Sequence, residues 1–210
     1  LALPNPNYMT PVLPIVSGAP VSYQKLAQTS DMHTETILLV GHGSREISGN
    51  QEIEAFAQIW RTHNPQWRIR VCFIEFSDAL LHDGLNLAAQ EADRVLVIPL
   101  ILNAAGHVKM DIPAAIAHAR EHYPRTEFLY APHLMAQDLA QEAIFTILKR
   151  RLKEAMQSLD MPDPSSTGVI LLGRGSSDRH ANGEVSKLAR WLEEDGEHEL
   201  VDIAFTGITY

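Results

Sequence analysis

One cysteine, Cys72, is all that 210 residues contain, so the chain can form no internal disulfide. It sits inside the apolar run "RIRVCFIEF", where a lone cysteine behaves as a small buried hydrophobe, and a reducing, cytoplasmic setting is expected. Positive charge is scarce. Seventeen Lys and Arg face 26 Asp and Glu, a formal net charge of −9. That balance argues against a nucleic-acid partner, which needs a basic footprint, but not against a small anion held by a local site. No apolar run approaches the roughly 20 residues of a membrane-spanning helix, so no membrane partner is expected. Nucleotide signatures are missing as well. Ile47 stands where a dinucleotide fingerprint needs its third glycine, and there is no P-loop. The order Gly-His-Gly-Ser at residues 41–44 is not the Gly-x-Ser-x-Gly elbow of a serine hydrolase.

Hydrophobic residues make up 45% of the chain, enough to bury a core. Residues 1–35 are proline-rich and have neither helical nor strand period, which reads as an extended arm, a tag remnant or a linker. Regular patterning begins at Thr36. "TILLV" reads as a buried strand, Asn50–His63 as a helix with Ile53, Phe56, Ala57 and Trp60 on one face, and Arg68–Phe76 as a second strand. A helix with a weak middle at Gly84 follows, then the strongest strand, Arg94–Leu102, and a helix over Asp111–Tyr123 with proline near its start. "EFLYAP" is a fourth strand, and one long helix spans Met135–Leu159. Alternating strands and helices predict an α/β fold: a parallel four-stranded sheet with helices on both faces.

After a linker at residues 160–168 the pattern restarts. "VILLGRGSSD" repeats "ILLVGHGSRE" at an offset of 132 residues, with Gly41, Gly43, Ser44, Asn50 and Glu52 meeting Gly173, Gly175, Ser176, Asn182 and Glu184. Residues 36–159 are therefore expected to form one lobe and residues 169–210 the start of a second, similar and incomplete one. Two parallel strands cannot cover themselves, so this piece should lean on the first lobe or on another copy, a possible route to self-association.

Three residues carry the chemical signal. His42 lies where the first strand hands over to a helix, and ligands of open parallel sheets bind at the carboxyl ends of strands. His107, in "NAAGHVKMDIP", also follows a strand and precedes a helix. Glu75 interrupts "VCFIEF", and a carboxylate inside an apolar strand is costly unless used or paired. Two imidazoles and a carboxylate on one edge of the sheet make a site for a labile divalent metal and for proton removal. His118 and His122, at i, i+4 spacing on a helix, lack an accompanying motif and read as a solvated face.

"LLVGHGSRE", "CFIEFSDALLHDGL" and "VLVIPLILNAAGHVKMDIP", in that order, resemble the CbiX-type sirohydrochlorin chelatases, class II chelatases of ferrochelatase-like fold. The resemblance covers Thr36–Leu152, and from Thr167 it continues as the start of the second lobe of the long, two-lobed form. It implies insertion of a divalent metal into sirohydrochlorin on the way to cobalamin, with no nucleotide or organic cofactor. Cobalt is the metal implied first, with nickel or iron as alternatives. A non-catalytic tetrapyrrole or metal carrier is a different class. The resemblance makes His42 and His107 the metal-handling, catalytic histidines and Glu75 the acidic residue beside them. The many carboxylates of the tetrapyrrole need local positive partners. Gly43, Ser44 and Arg45 are the candidates beside His42, and Lys109 is a further one. In the repeat His42 becomes Arg174 and Glu75 becomes Gly207, so the first lobe is expected to be catalytic. Arg174 is either an anchor for substrate carboxylates in the same crevice or one half of a structural ion pair.

Overall fold

A computed structural model describes residues 34–207, so the arm expected at residues 1–35 lies almost wholly outside the described residues. Four strands form a parallel sheet: β1 (Glu35–Gly41), β2 (Arg68–Phe73), β3 (Arg94–Pro99) and β4 (Glu127–Tyr130), in the order β2-β1-β3-β4. β1 has a neighbour on each side and helices on both faces, so a continuous apolar run suits it. Leu38, Leu39 and Val40 are fully buried, each contributing about 1.5–3 kcal/mol by leaving water.

The two faces are covered as the period of 2 in β1 requires. Leu38 and Val40 pack with α2 (Leu81–Glu91) and α3 (Ile112–His122) through Leu85, Ala88, Ile112 and Ile116. Leu39 packs on the other face with Ala57, Trp60 and Trp67, beneath α1 (Ile47–His63). Of the four α1 positions expected inward, only Ala57 is buried, and Phe56 is partly exposed while tilting onto Trp60. Gly84 is not a weak point of its helix. A Cβ there would lie 2.5 Å from the Cβ of Cys72, so glycine lets α2 settle directly on β2. Cys72 is fully buried at that contact, and burial pushes its thiol pKa up to about 12.

α4 (Asp138–Met156) follows β4 after a single 3₁₀ turn at Leu134–Ala136, so the long helix expected from Met135 begins three residues later. A second, parallel two-stranded sheet pairs β5 (Val169–Gly173) with β6 (Val201–Phe205), joined by α5 (Arg179–Glu194). One face of β5 is uncovered, with Ile170 and Leu172 more than half exposed. This second unit leans on α4: Phe145 meets Trp191 edge to face at 5.7 Å, and Lys149 reaches Asp195 at 2.8 Å. No helix among the described residues is long and apolar enough to cross a membrane.

Candidate metal-handling site

β1 ends at Gly41, and His42 is the first residue beyond it. Gly43 then turns the chain with φ +95°, and a Cβ on it would lie 1.7 Å from the carbonyl oxygen of Glu75. Only glycine admits that approach. β2 ends two residues before Glu75, yet backbone pairing runs on: Ile74 N–H donates to Gly41 O and Glu75 N–H to His42 O, both at 3.1 Å. Glu75 thus lies beyond the strand, half-exposed, where the expectation had it inside an apolar strand. The cost of burying a carboxylate therefore does not hold it in place; the ladder to His42 does.

Phe76 follows with φ +52°, a left-handed conformation that costs an aromatic residue about 1–2 kcal/mol. Two contacts hold it. The Asn50 amide donates to Phe76 O at 2.9 Å, and the Arg45 guanidinium lies 4.7 Å above its ring. Asn50 also donates to Ser44 O at 3.2 Å and accepts from Ser44 N–H at 2.9 Å. One side chain therefore ties the His42 loop to the Glu75 loop. The sequence signals Asn50 only as one of the repeated positions.

His107 opens a π-helical turn, His107–Asp111, that runs directly into α3. The expectation placed it in a loop with the helix starting at Asp111; the helical segment begins four residues earlier. Wider turns of this kind recur at functional sites. Nδ1 of His107 lies 2.6 Å from Oδ2 of Asp111. A carboxylate only accepts, so Nδ1 carries the hydrogen, and in the neutral imidazole the lone pair is on Nε2. The expectation had no role for Asp111, although its i, i+4 spacing from His107 was visible.

The three expected residues meet. His42 Nδ1 is 3.5 Å from Glu75 Oε1, and the His42 and His107 rings stand perpendicular with centroids 4.9 Å apart. One ligand atom from each of His42, Glu75 and His107 falls within 4.8 Å of the others, the only such group of three or more among the described residues. Two nitrogens and an oxygen at this spacing, none of them deeply buried, can take a hydrated divalent ion and let it go. His118 and His122 are not part of this group; the His118 ring tilts against His122 and meets His82 of α2 edge to face.

A cleft of about 1140 Å³ opens beside the trio, between the two sheets. His42, Leu102 and His107 line it from the first unit, Ile147 from α4, and Leu172 and Arg174 from the second. Gly43, Ser44 and Arg45 are not among its lining residues. The Ser44 N–H is taken by Asn50 and its hydroxyl accepts from Glu46 N–H, while Arg45 lies over Phe76. Lys109 is occupied too. It pairs with Asp178 across the units and holds that carboxyl below its usual pKa, chiefly through their hydrogen bond.

The profile of the CbiX family matches residues 36–155 and 168–210. The chain is 37% identical over 178 residues to a sirohydrochlorin cobaltochelatase of Priestia megaterium, covering 84% of this chain and 56% of that one. It is 30% identical over 184 residues to a sirohydrochlorin ferrochelatase of the same organism, covering 87% and 66%. Among solved structures, the sirohydrochlorin chelatase SirB of Bacillus subtilis subspecies spizizenii in complex with cobalt superposes with a TM-score of 0.67 at 28% identity, covering 81% of this chain and 67% of that one. SirB from Bacillus subtilis with Fe3+ superposes at 0.69 and 28%, covering 82% and 65%. The chain thus spans between about half and two thirds of the length of these relatives.

Proposed function

Because this chain belongs to the CbiX family, we propose that it inserts a divalent metal, cobalt, into sirohydrochlorin on the way to cobalamin. The observation that carries the reading is the convergence of His42, Glu75 and His107, whose two histidines line a cleft with apolar walls. The cobaltochelatase relative favours cobalt, and the ferrochelatase relative supports iron as the second reading.

Metallation asks three things of a protein. The macrocycle must be held flat against the metal, the metal must shed water, and the two inner N–H protons must leave. The apolar walls suit the first task, since a tetrapyrrole face is apolar and its rim is charged. Imidazole and carboxylate ligands can replace water on the metal and surrender it again. A neutral imidazole near its working pH range is also a good proton acceptor. His107 is prepared for either role, because its Nδ1 hydrogen is committed to Asp111 and its Nε2 lone pair is available. His42 and His107 divide the metal and proton steps, with Glu75 supporting His42. No nucleotide enters this chemistry. A cytoplasmic setting belongs to the same proposal and is supported by the single buried thiol.

Following the absorption spectrum of sirohydrochlorin with cobalt, nickel or iron, with and without the protein, tests the reading. Acceleration by the protein is expected, fastest with cobalt. His42→Ala and His107→Ala should each lower the rate by about 100-fold or more. Near wild-type rates in both variants would defeat the site assignment. Tight binding of sirohydrochlorin without acceleration would make the protein a carrier.

A further inference from the structure

The turn after β5 is the turn after β1 built a second time. Ser176 N–H donates to Asn182 Oδ1 at 2.9 Å, as Ser44 N–H does to Asn50. Asp178 N–H donates to the Ser176 hydroxyl at 3.1 Å, as Glu46 N–H does to Ser44. Gly175 has φ +87° where Gly43 has +95°. Phe205 packs on Gly173 as Phe73 packs on Gly41. Thr206 N–H donates to Gly173 O at 3.0 Å, as Ile74 N–H donates to Gly41 O. Arg174 and Gly207 therefore occupy the places of His42 and Glu75 in space, not only in alignment, and His42, Arg174 and Gly207 all line the one cleft.

The two replacements act together. In the first turn the carboxylate of Glu75 faces the imidazole of His42. In the second turn the imidazole has become a permanent cation and the facing carboxylate is gone. A Cβ at 207 would lie 2.5 Å from Arg174 O, so the second turn as it stands holds glycine there and supplies no carboxylate to Arg174. As it is, no carboxylate pairs with Arg174 among the described residues, and its side chain is exposed in the cleft. The structural ion pair left open by the sequence is therefore not formed there. The chain is acidic, and two other cations near the cleft mouth are committed, Lys109 to Asp178 and Arg151 in part to Glu154. A guanidinium with no carboxylate on it among the described residues, in the cleft that His42 and His107 also line, is set up to hold a carboxylate on the rim of a bound ligand.

We propose that Arg174 is the substrate-anchoring residue of the second unit: it binds a peripheral carboxylate of the tetrapyrrole and so orients the ring nitrogens toward His42 and His107. This rests on the sirohydrochlorin reading above, and the test separates the two. Binding of metal-free sirohydrochlorin is measured by quenching of tryptophan fluorescence, and cobalt insertion by steady-state kinetics, for wild type, Arg174→Ala, Arg174→Lys and Arg174→Glu. Loss of one charge-assisted contact should raise both the dissociation constant and KM by about tenfold in Arg174→Ala, and further in Arg174→Glu. Lysine should restore part of the loss. Cobalt binding to the protein alone, followed by calorimetry, should not change. With the fully esterified macrocycle as probe, wild type and Arg174→Ala should bind alike. If wild type inserts metal and Arg174→Ala and Arg174→Glu keep its KM and binding, the anchor is refuted while the chelatase reading stands. If wild type binds sirohydrochlorin and Arg174→Ala binds it tenfold more weakly, yet no insertion is accelerated, the anchor stands and the chelatase reading falls. If wild type binds no sirohydrochlorin, both fall.

Discussion

Nδ1 of His107 and Oδ2 of Asp111 lie 2.6 Å apart on one continuous helical segment, four residues from each other. The carboxylate fixes the tautomer of the imidazole and the direction of its free nitrogen, as the outer partner of a metal-binding histidine does. Asp111 is more than half exposed, so its removal should spare the fold. Asp111→Ala should lower insertion and weaken cobalt binding by about 10- to 100-fold. Asp111→Asn, whose amide oxygen still accepts from Nδ1–H, should recover part of both. Calorimetry with cobalt and initial rates measure this pair, and an unaltered Asp111→Ala would mean that the ring is oriented by something else.

Two glycines with positive φ separate strain from collision. Gly196 has φ +79° and open space around it, so Gly196→Ala meets only the conformational penalty, about 1 kcal/mol. Gly43 adds a carbonyl oxygen 1.7 Å from any Cβ. Gly43→Ala should therefore cost about 3 kcal/mol or more and should also push Glu75 away from His42, weakening cobalt binding. Urea unfolding compares the two variants. Equal midpoints would show that the two loops do not approach so closely.

Stability should depend on pH through Glu91. Arg70 binds its carboxyl, with Nε at 2.7 Å, and this hydrogen bond holds the Glu91 pKa below the ordinary 4.5. A carboxylate depressed on folding stabilises the native state fully above its unfolded pKa, and the contribution fades as pH falls through the depressed value. Glu91→Gln should thus be less stable than wild type at pH 7, and the two should converge as pH falls through the depressed Glu91 value. Thermal melts across this range give the difference. A gap independent of pH would point to lost packing in place of charge.

Cys72 should be inert in the folded protein. Its thiol is buried against Gly84 and its pKa is raised to about 12, so almost no thiolate exists at pH 8. A chromogenic disulfide reagent should label it slowly under native conditions and at once in denaturant. Rapid native labelling would mean that α2 lifts from β2.

Much of the architecture is legible from Thr36 onward because β1 is buried on both faces and β3 on one with the other partly covered, and that demand writes itself as unbroken apolar runs. His42 and His107 are legible for a related reason: His42 ends one such run and His107 lies in the segment that follows another, on the side where a parallel sheet places its ligands. Glu75 was identified from the wrong cause, since nothing in the sequence marks where β2 stops and the turn at Phe76 begins. Local pattern also points to Gly43, Ser44 and Arg45 as ligand groups through proximity to His42, but Ser44 and Arg45 are engaged within the turn and none of the three lines the cleft.

The sequence alone determined the strand order in time, the duplicated turn, the acidic balance and the three reactive residue types, because these are properties of residues and their spacing. Only the tertiary structure decided which groups are still free. Lys109 finds Asp178 across 69 residues of chain, Asp111 turns toward His107, and Arg174 meets no carboxylate among the described residues in the cleft that the two histidines line. Whether a charge is available depends on what stands within a few ångströms of it in space, and packing brings those neighbours from distant parts of the chain.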